Sequence, residues 1–396
     1  MHKYNKFSGK PILSQIINLL DRPKIKRTAE RNKSDRYYKK FKTIDHLITM
    51  MSVSLSGCTS LREVSSMFLA FESRINHLGI NYFPKRSTIA DANSKRPSLV
   101  FGEIYYDLLI VYRKFLSDSS NQFNEIKNLF IADSTTISLF CDVLKGVGRN
   151  PINGKKKGGI KMHTLINSSE DVPSLVCFTS AATHDHVFLK NLNLQKGSII
   201  VFDKGYNDYN QYFEWNIDGI SFVTRQKDNA VWISKEELEI SDNTPSGVLK
   251  DEIIIITKDK VSIELRRIAY WDDSQKKLYE FITNNYKLSP DKVANIYKQR
   301  WQIETLFKRL KQNFPLKYFL GDSQNAIEIQ IWVSLIVHLL LKVVQKKAER
   351  KWAYSNLVSI VRFHLMTYID LFKFLKNPES DWEKLTNKIK EQYVLF

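Results

Sequence analysis

The 396-residue sequence is short of cysteine, of acidic residues and of long apolar runs, and each shortage narrows what the chain can be. Its three cysteines, Cys58, Cys141 and Cys177, are odd in number and too far apart for a zinc knuckle. A disulfide framework and a sulfur-built metal site are therefore excluded, and free thiols in a reducing, cytoplasmic setting are expected. No apolar run reaches the roughly 20 residues that span a bilayer. The most apolar one, residues 329–344, carries Gln330, Ser334 and His338 and reads as a buried helix. The N-terminus is basic but lacks an apolar segment followed by a small-residue cleavage site, so no secretory signal and no membrane partner are expected. There is no internal repeat and no low-complexity tract. The Gly-flanked lysines of "NGKKKGG", Lys155, Lys156 and Lys157, lack the Walker A order. They read as a loop against DNA backbone, not as a nucleotide cradle.

What the chain does have is apolar mass and positive charge. Hydrophobic residues make up 43%, with 23 Phe, 18 Tyr and 7 Trp, ample for packed cores. Lys and Arg outnumber Asp and Glu by 60 to 42, a formal charge of +18, and residues 1–42 alone hold thirteen cations against three acids. Such an excess points to a polyanionic partner.

Residues 1–122 read as helical and basic. "TIDHLITMMSVSLSG" has helical periodicity closed by Gly57, Ser60 caps "LREVSSMFLAF", and "RSTIADANSK" stops before Pro97. From residue 123 the pattern turns to mixed α/β, with short β-rich runs such as "NLFIAD", "GIKMHTLINS", "SIIVFD" and "GISFVTR". Residues 228–275 read as an all-β insertion, 276–345 resume the α/β body, and 346–396 are helical. Ser289, Pro290 and Asp291 supply an N-cap, a first-turn proline and a first-turn acid for a helix that carries "YKQRWQIETLFKRLK". At about 100° per residue that helix gathers Tyr297, Arg300, Glu304, Lys308 and Lys311 on one stripe beside an apolar face.

Asp133 and Asp203 each close an apolar strand, where open α/β sheets place their sites. A lone Asp at such a point is more often a turn former or a helix cap. Together with Glu304 the two make an all-oxygen triad suited to Mg²⁺ or Mn²⁺ and to in-line attack on a phosphodiester. Lys161 and His163 of "GIKMHTL" are further candidates for lining the site. "HDH" at 184–186 reads as a loop before a metal site.

These residues resemble the DDE transposases of bacterial insertion sequences, in the group with a Tyr-Arg-Glu-Lys signature. Tyr297, Arg300, Glu304 and Lys311 meet the spacing Y-x2-R-x3-E-x6-K, and "IADST", "DKGY", "TNN" and "LSGCTSLREV" add to the likeness. The resemblance implies a ribonuclease-H-like catalytic core with a β-rich insertion, a helical DNA-binding region in front and helices behind. It implies that Asp133, Asp203 and Glu304 hold the metals while Tyr297, Arg300 and Lys311 grip DNA near the cut. Tyr279 stands where relatives have a Trp that receives a flipped base during a hairpin step. The implied partners are the terminal inverted repeats and target DNA, engaged by a homodimer. Two rivals stay open: a ribonuclease-H-like nuclease that does not join strands, and a non-catalytic DNA-binding protein derived from a transposase.

Overall fold

Among the described residues helices come first and last, and the strands lie between them. In order come α1 (Ile12–Ile17), α2 (Arg22–Arg31), α3 (Thr43–Ser56), α4 (Leu61–Phe71), α5 (Arg86–Lys95) and α6 (Leu99–Leu116), then β1 (Leu129–Ser138), β2 (Gly159–Asn167) and β3 (Pro173–Ser180). There follow α7 (His186–Leu189), β4 (Ile199–Phe202), α8 (Tyr209–Asp218), β5 (Ser221–Arg225), β6 (Ile233–Glu237), β7 (Val248–Lys258), β8 (Val261–Asp272) and β9 (Lys277–Thr283). The last elements are α9 (Pro290–Lys298), α10 (Trp301–Asn313), α11 (Gln324–Lys347), α12 (Tyr354–Phe363) and α13 (Leu371–Lys376). This computed structural model describes residues 9–80, 82–117, 128–138, 159–240, 247–258 and 261–380. It divides into two compact units, Met1–Leu116 with Arg309–Phe396, and Ser117–Lys308.

In the helical unit, punctuation falls where capping chemistry puts it. Asp21 accepts the Lys24 amide at 3.0 Å ahead of α2, Ser60 Oγ accepts the Glu63 amide at 3.2 Å, and Gly57 closes α3 at φ +75°, a conformation that favours glycine. α11 is long and apolar enough to cross a membrane, yet 89% of its apolar window is buried within the protein, and its polar residues are satisfied there. Gln330 donates to the Pro315 and Tyr318 carbonyls at 2.8 Å each, and His338 bonds the Tyr354 hydroxyl at 2.7 Å. It is a core helix, as the interrupted apolar run at 329–344 predicts. α6 lies so close to it that a Cβ on Gly102 would stand 2.9 Å from the Trp332 ring.

The second unit is built on one nine-stranded sheet of order β3-β2-β1-β4-β5-β9-β8-β7-β6. β1, β2 and β3 form an antiparallel meander, and β4 and β5 then run parallel to β1. That arrangement is a ribonuclease-H-like core. The strands of the β-rich stretch, β6 to β8, extend this same sheet, because β9 pairs with β5 on one edge and β8 on the other. Alternation along the central strands assigns the two faces. Ile200, Phe202 and Phe222 pack with Tyr212 and Trp215 of α8, whereas Leu129, Ile199, Val201 and Val223 pack with Val293, Ile296 and Tyr297 of α9.

Candidate active site

The same alternation aims the candidate carboxylates. The paired residues of β1 and β4 end at Ala132 opposite Phe202, so Asp133 and Asp203 are the next positions on neighbouring parallel strands. Val201 pairs with Val223 on β5, which brings Arg225 level with Asp203. All three share the parity of Leu129, Val201 and Val223 and face the α9 side of the sheet. Arg225 was not singled out in the sequence; its signal is only that "SFVTR" reaches a charged residue at the same step as "SIIVFD".

The stretch 297–311 is two helices, not the single helix its periodicity predicts. α9 ends at Lys298, and Gln299 and Arg300 form a tighter joint in which the Arg300 amide donates to the Tyr297 carbonyl at 3.0 Å and the Gln302 amide to the Gln299 carbonyl at 2.9 Å. These are i to i+3 bonds, and they wind the chain more tightly than an α-helix. The joint delivers the Arg300 guanidinium between two acids, 3.2 Å from Asp133 Oδ2 and 2.6 Å from Glu304 Oε1. Arg225 pairs with Asp203 Oδ1 at 2.8 Å. The Tyr297 hydroxyl lies 3.5 Å from that oxygen, and the guanidinium carbons of Arg225 and Arg300 are each 5.8 Å from the Tyr297 ring. Asp133, Asp203, Glu304, Tyr297 and Arg300 are thus gathered at one place.

Their surroundings shift the two aspartates in opposite directions. Burial, with the negative charges of Asp203 and Glu304 adding to it, pushes the Asp133 carboxyl up to about 6, against the Ser134 amide and Arg300. Burial also acts on Asp203, but the Arg225 hydrogen bond and the Gly205 amide outweigh it and hold Asp203 below its ordinary value. Carboxylate oxygens are the donors a hard divalent cation takes, so the donor set fits one. Among the described residues no three acidic, His or Cys side chains stand close enough to hold an ion, and Arg300 lies between Asp133 and Glu304.

Beneath Asp133 lies a second polar layer. Ser134 Oγ donates to Asp185 Oδ1 at 2.8 Å, and Lys161 Nζ donates to the same oxygen at 3.0 Å and to the Thr183 carbonyl at 2.7 Å. His163 is buried, bonded to Thr179 Oγ1 at 2.9 Å and stacked on Phe188, and burial holds its imidazole down to about 4. Lys161 and Asp185 therefore brace the strand that carries Asp133. His184 and His186 stack on one another.

Beside the carboxylates opens a cavity of about 210 Å³ lined by Arg225, Tyr270, Tyr279, Tyr297, Arg300 and Trp301. Tyr279 stacks parallel to Phe281 at 5.9 Å and donates its hydroxyl to Gln275 Oε1 at 2.7 Å. Trp301, 57% exposed, is an aromatic wall the sequence reading passed over. Lys308 is exposed on α10, and burial lowers the Lys311 ammonium. Lys155, Lys156 and Lys157 lie outside the described residues.

Comparison with known proteins gives a consistent family. Residues 125–340 match the family described as Transposase DDE domain, and residues 8–81 match a domain of unknown function, DUF4372. The chain is 29% identical over 265 residues to a Sinorhizobium fredii protein named as transposase y4zB, covering 66% of this chain and 71% of that one. It is 25% identical over 273 residues to a Geobacillus stearothermophilus protein named as the transposase of insertion sequence element IS5377, covering 66% and 70%. By structure it aligns with a piggyBac transposase synaptic complex holding hairpin DNA, over 92% of this chain and 80% of the other, at 13% identity and a TM-score of 0.38, too loose a likeness to carry an argument. The family match spans more than half of the sequence, and the chain belongs to the DDE transposases of bacterial insertion sequences.

Proposed function

We propose that this transposase binds the terminal inverted repeats of its element, cleaves the DNA ends and joins their 3′ ends to target DNA, working as a homodimer on the paired ends. The observation that carries the reading is the convergence of Asp133, Asp203 and Glu304 around Arg300. Asp133, Asp203 and Glu304 would hold divalent cations, Mg²⁺ or Mn²⁺, which when bound activate a water or 3′-hydroxyl and stabilise the leaving oxygen. Arg225 and the Gly205 amide keep Asp203 ionised and ready as a ligand. Arg300 neutralises Asp133 and Glu304 in the resting site, and once those acids are engaged it is placed to pair bidentately with phosphate beside the cut. Tyr297 backs that contact from the sheet side, and Lys308 and Lys311 continue the positive stripe along α10. In this reading the chain belongs to the Tyr-Arg-Glu-Lys group.

The aromatic cavity favours a hairpin route. Tyr279 and Trp301 offer ring faces within reach of the two arginines, the setting in which an extruded base stacks while its phosphate is held. One reaction tests the whole reading: purified protein, Mg²⁺ and a labelled duplex bearing the element's end, resolved into nick, hairpin and joined product. Joined product from wild type, and none from Asp203→Asn, is expected. Nicking without joining would favour the nuclease, and binding without either would favour the non-catalytic protein.

A further inference from the structure

The turn between α2 and α3, "NKSDRYYKKFK", holds two non-glycine residues in a strained conformation, one of them with an exposed ring. Lys33 has φ +51° and Tyr37 φ +70°, in the left-handed region that non-glycine residues adopt at a cost. Tyr37 gains nothing by burial, since its ring is 87% exposed. The turn is nevertheless clamped from below. Asp35 Oδ1 accepts the Thr43 amide at 2.6 Å and its hydroxyl at 2.8 Å, while Arg96 donates from Nε to the Ser34 carbonyl at 3.2 Å and from Nη2 to the Phe41 carbonyl at 2.7 Å. Arg96 itself is fully buried, its guanidinium 4.2 Å from the Tyr38 ring centre, and its Nη1 has no partner. A rigid base thus holds an aromatic ring and several cations outward.

Between this turn and the end of α5 lies a cavity of about 520 Å³, within the range of small-ligand sites. Lys33, Arg36, Lys95 and Arg96 line it against a single carboxylate, Asp91, which is taken up by Lys95 at 2.5 Å. The Arg36 guanidinium sits 4.9 Å from the Tyr37 ring centre. A flat exposed ring flanked by Lys33 and Arg36, which have no acidic partner among the described residues, matches a nucleobase with its phosphates, because the base uses the ring face and the phosphates use the charges. An acidic peptide would leave the Tyr37 face unused.

We propose that this pocket binds an unpaired nucleotide of DNA, its base on Tyr37 in place of the Arg36 guanidinium and its flanking phosphates on Lys33 and Arg36. The inference rests on the reading of the chain as a DNA-cleaving transposase and gives the helical unit a site of its own. The test uses the full-length protein and a duplex with 2-aminopurine in a one-nucleotide bulge, followed by fluorescence and by Kd across a salt series. Tyr37→Ala is expected to weaken binding about tenfold or more and to abolish the 2-aminopurine response while leaving the salt slope unchanged; Tyr37→Phe should keep both. Lys33→Ala with Arg36→Ala should flatten the slope of log affinity against log salt by roughly 1.4 to 1.8, the release from two phosphates. If Tyr37→Ala binds as wild type does and retains the fluorescence response, the pocket is overturned, and cleavage of element ends by the same protein would leave the transposase reading intact. If the Tyr37 effects appear but wild type cuts no end in Mg²⁺, the pocket stands and the catalytic reading of Asp133, Asp203 and Glu304 falls.

Discussion

Two clusters of arginine and carboxylate occupy the same sheet-based unit, and they are built to opposite ends. On the β7–β8 ribbon, Arg266 grips both oxygens of Asp251 at 2.8 and 2.6 Å, and Arg267 lies between Glu252 and Glu280. Lys250 adds a third cation to Glu252 at 3.2 Å, so three acids meet three bases, and the Arg266 and Asp251 side chains are only 5% and 3% exposed. At the candidate active site, Arg225 and Arg300 meet three acids, with Asp203 and Glu304 31% and 34% exposed. The Arg266–Asp251 pair is closed to solvent, while Lys250 and Glu280 at the margin of the ribbon are 39% and 36% exposed. The site is one positive charge short, its Asp203 and Glu304 reach solvent, and burial, with the charges of those two acids adding to it, pushes the Asp133 carboxyl up to about 6. In the proposed reading the buried Arg266–Asp251 pair is structural and the acid-rich cluster catalytic, and charge balance is what separates them.

The largest break in this comparison comes from neutralising the acids of the site. Asp133→Asn, Asp203→Asn and Glu304→Gln are each expected to lower end cleavage on the order of 10³-fold while leaving end binding largely intact, since each takes away a ligand of the cation that would stabilise the reacting phosphate. Any one of them cleaving at near the wild-type rate removes that residue from the site. Stability should move the other way for Asp133. A carboxyl whose pKa rises on folding supports the folded state while protonated, fully below about 4, and that support is lost as pH climbs through about 6. In EDTA, Asp133→Asn should therefore gain on wild type by up to about 3 kcal/mol between pH 4 and 7.5. Melting curves at the two pH values measure it, and a gap that does not widen with pH would mean that burial and the neighbouring acids do not hold the Asp133 carboxyl up.

The ribbon should respond in stability first. Arg266→Met leaves Asp251 buried without a counter-charge and is expected to cost about 3–5 kcal/mol, with activity falling only as the folded fraction falls. Adding Asp251→Leu should restore most of the loss, because an apolar pair replaces an ionic one. Urea titrations of the single and double variants check this. A double variant no more stable than Arg266→Met would show that the pair carries more than its own charge balance.

How far the sequence reveals these two clusters depends on which residues advertise themselves. Asp133 and Asp203 do, because an apolar run that meets an acid is conspicuous, although β1 continues past Asp133 to Ser138 and does not close there as the pattern predicts; Glu304 does through its spacing from Tyr297 and Arg300. Arg225 does not: "SFVTR" ends as most strands end, and its significance appears only when the register of β4 and β5 brings it level with Asp203. The joint at Gln299 and Arg300 is hidden as well, since no proline or glycine marks it and the apolar period continues across it. The β-rich stretch looks separate in sequence because edge pairing leaves no local trace. Only the pairing of Thr283 with both Val223 and Arg266 makes β6 to β8 part of the main sheet.

A finer cut keeps the charge and changes its shape. Arg300 spans Asp133 and Glu304 as a planar fork, which lysine cannot do from one ammonium. Arg300→Lys is expected to lose roughly 10- to 100-fold in strand joining, the scale of a bidentate charge-assisted contact, with Lys311→Arg milder. On a pre-cut end the Arg300→Ala defect should shrink when the 5′ phosphate of the non-transferred strand is removed, since wild type then lacks the contact too. An equal defect on both substrates would make Arg300 a partner of the acids alone.

The smallest expected effect separates the two uses of Tyr297. Its ring is packed against Phe281 with centroids 4.9 Å apart, and in that respect it is a core residue like those of the ribbon side. Its hydroxyl reaches the open cluster, 3.5 Å from Asp203 Oδ1, a distance at which a hydrogen bond is weak. Burial, together with Asp203, raises the phenol above its ordinary value despite Arg300 and Arg225, so it stays a proton donor through the neutral and mildly alkaline range. Tyr297→Phe keeps the packing and deletes that donor, and is expected to lower cleavage by about fivefold, equivalent to about 1 kcal/mol, with an unchanged melting temperature and an unchanged pH profile up to pH 9. Tyr297→Ala removes the ring as well and should lower both melting temperature and rate, as a large-to-small core substitution does. Comparing the two variants on the same labelled end assigns the hydroxyl to the site and the ring to the core. Equal rate losses in both would assign the whole side chain to the site, and no loss in Tyr297→Phe would leave Asp203 oriented by Arg225 and Gly205 alone.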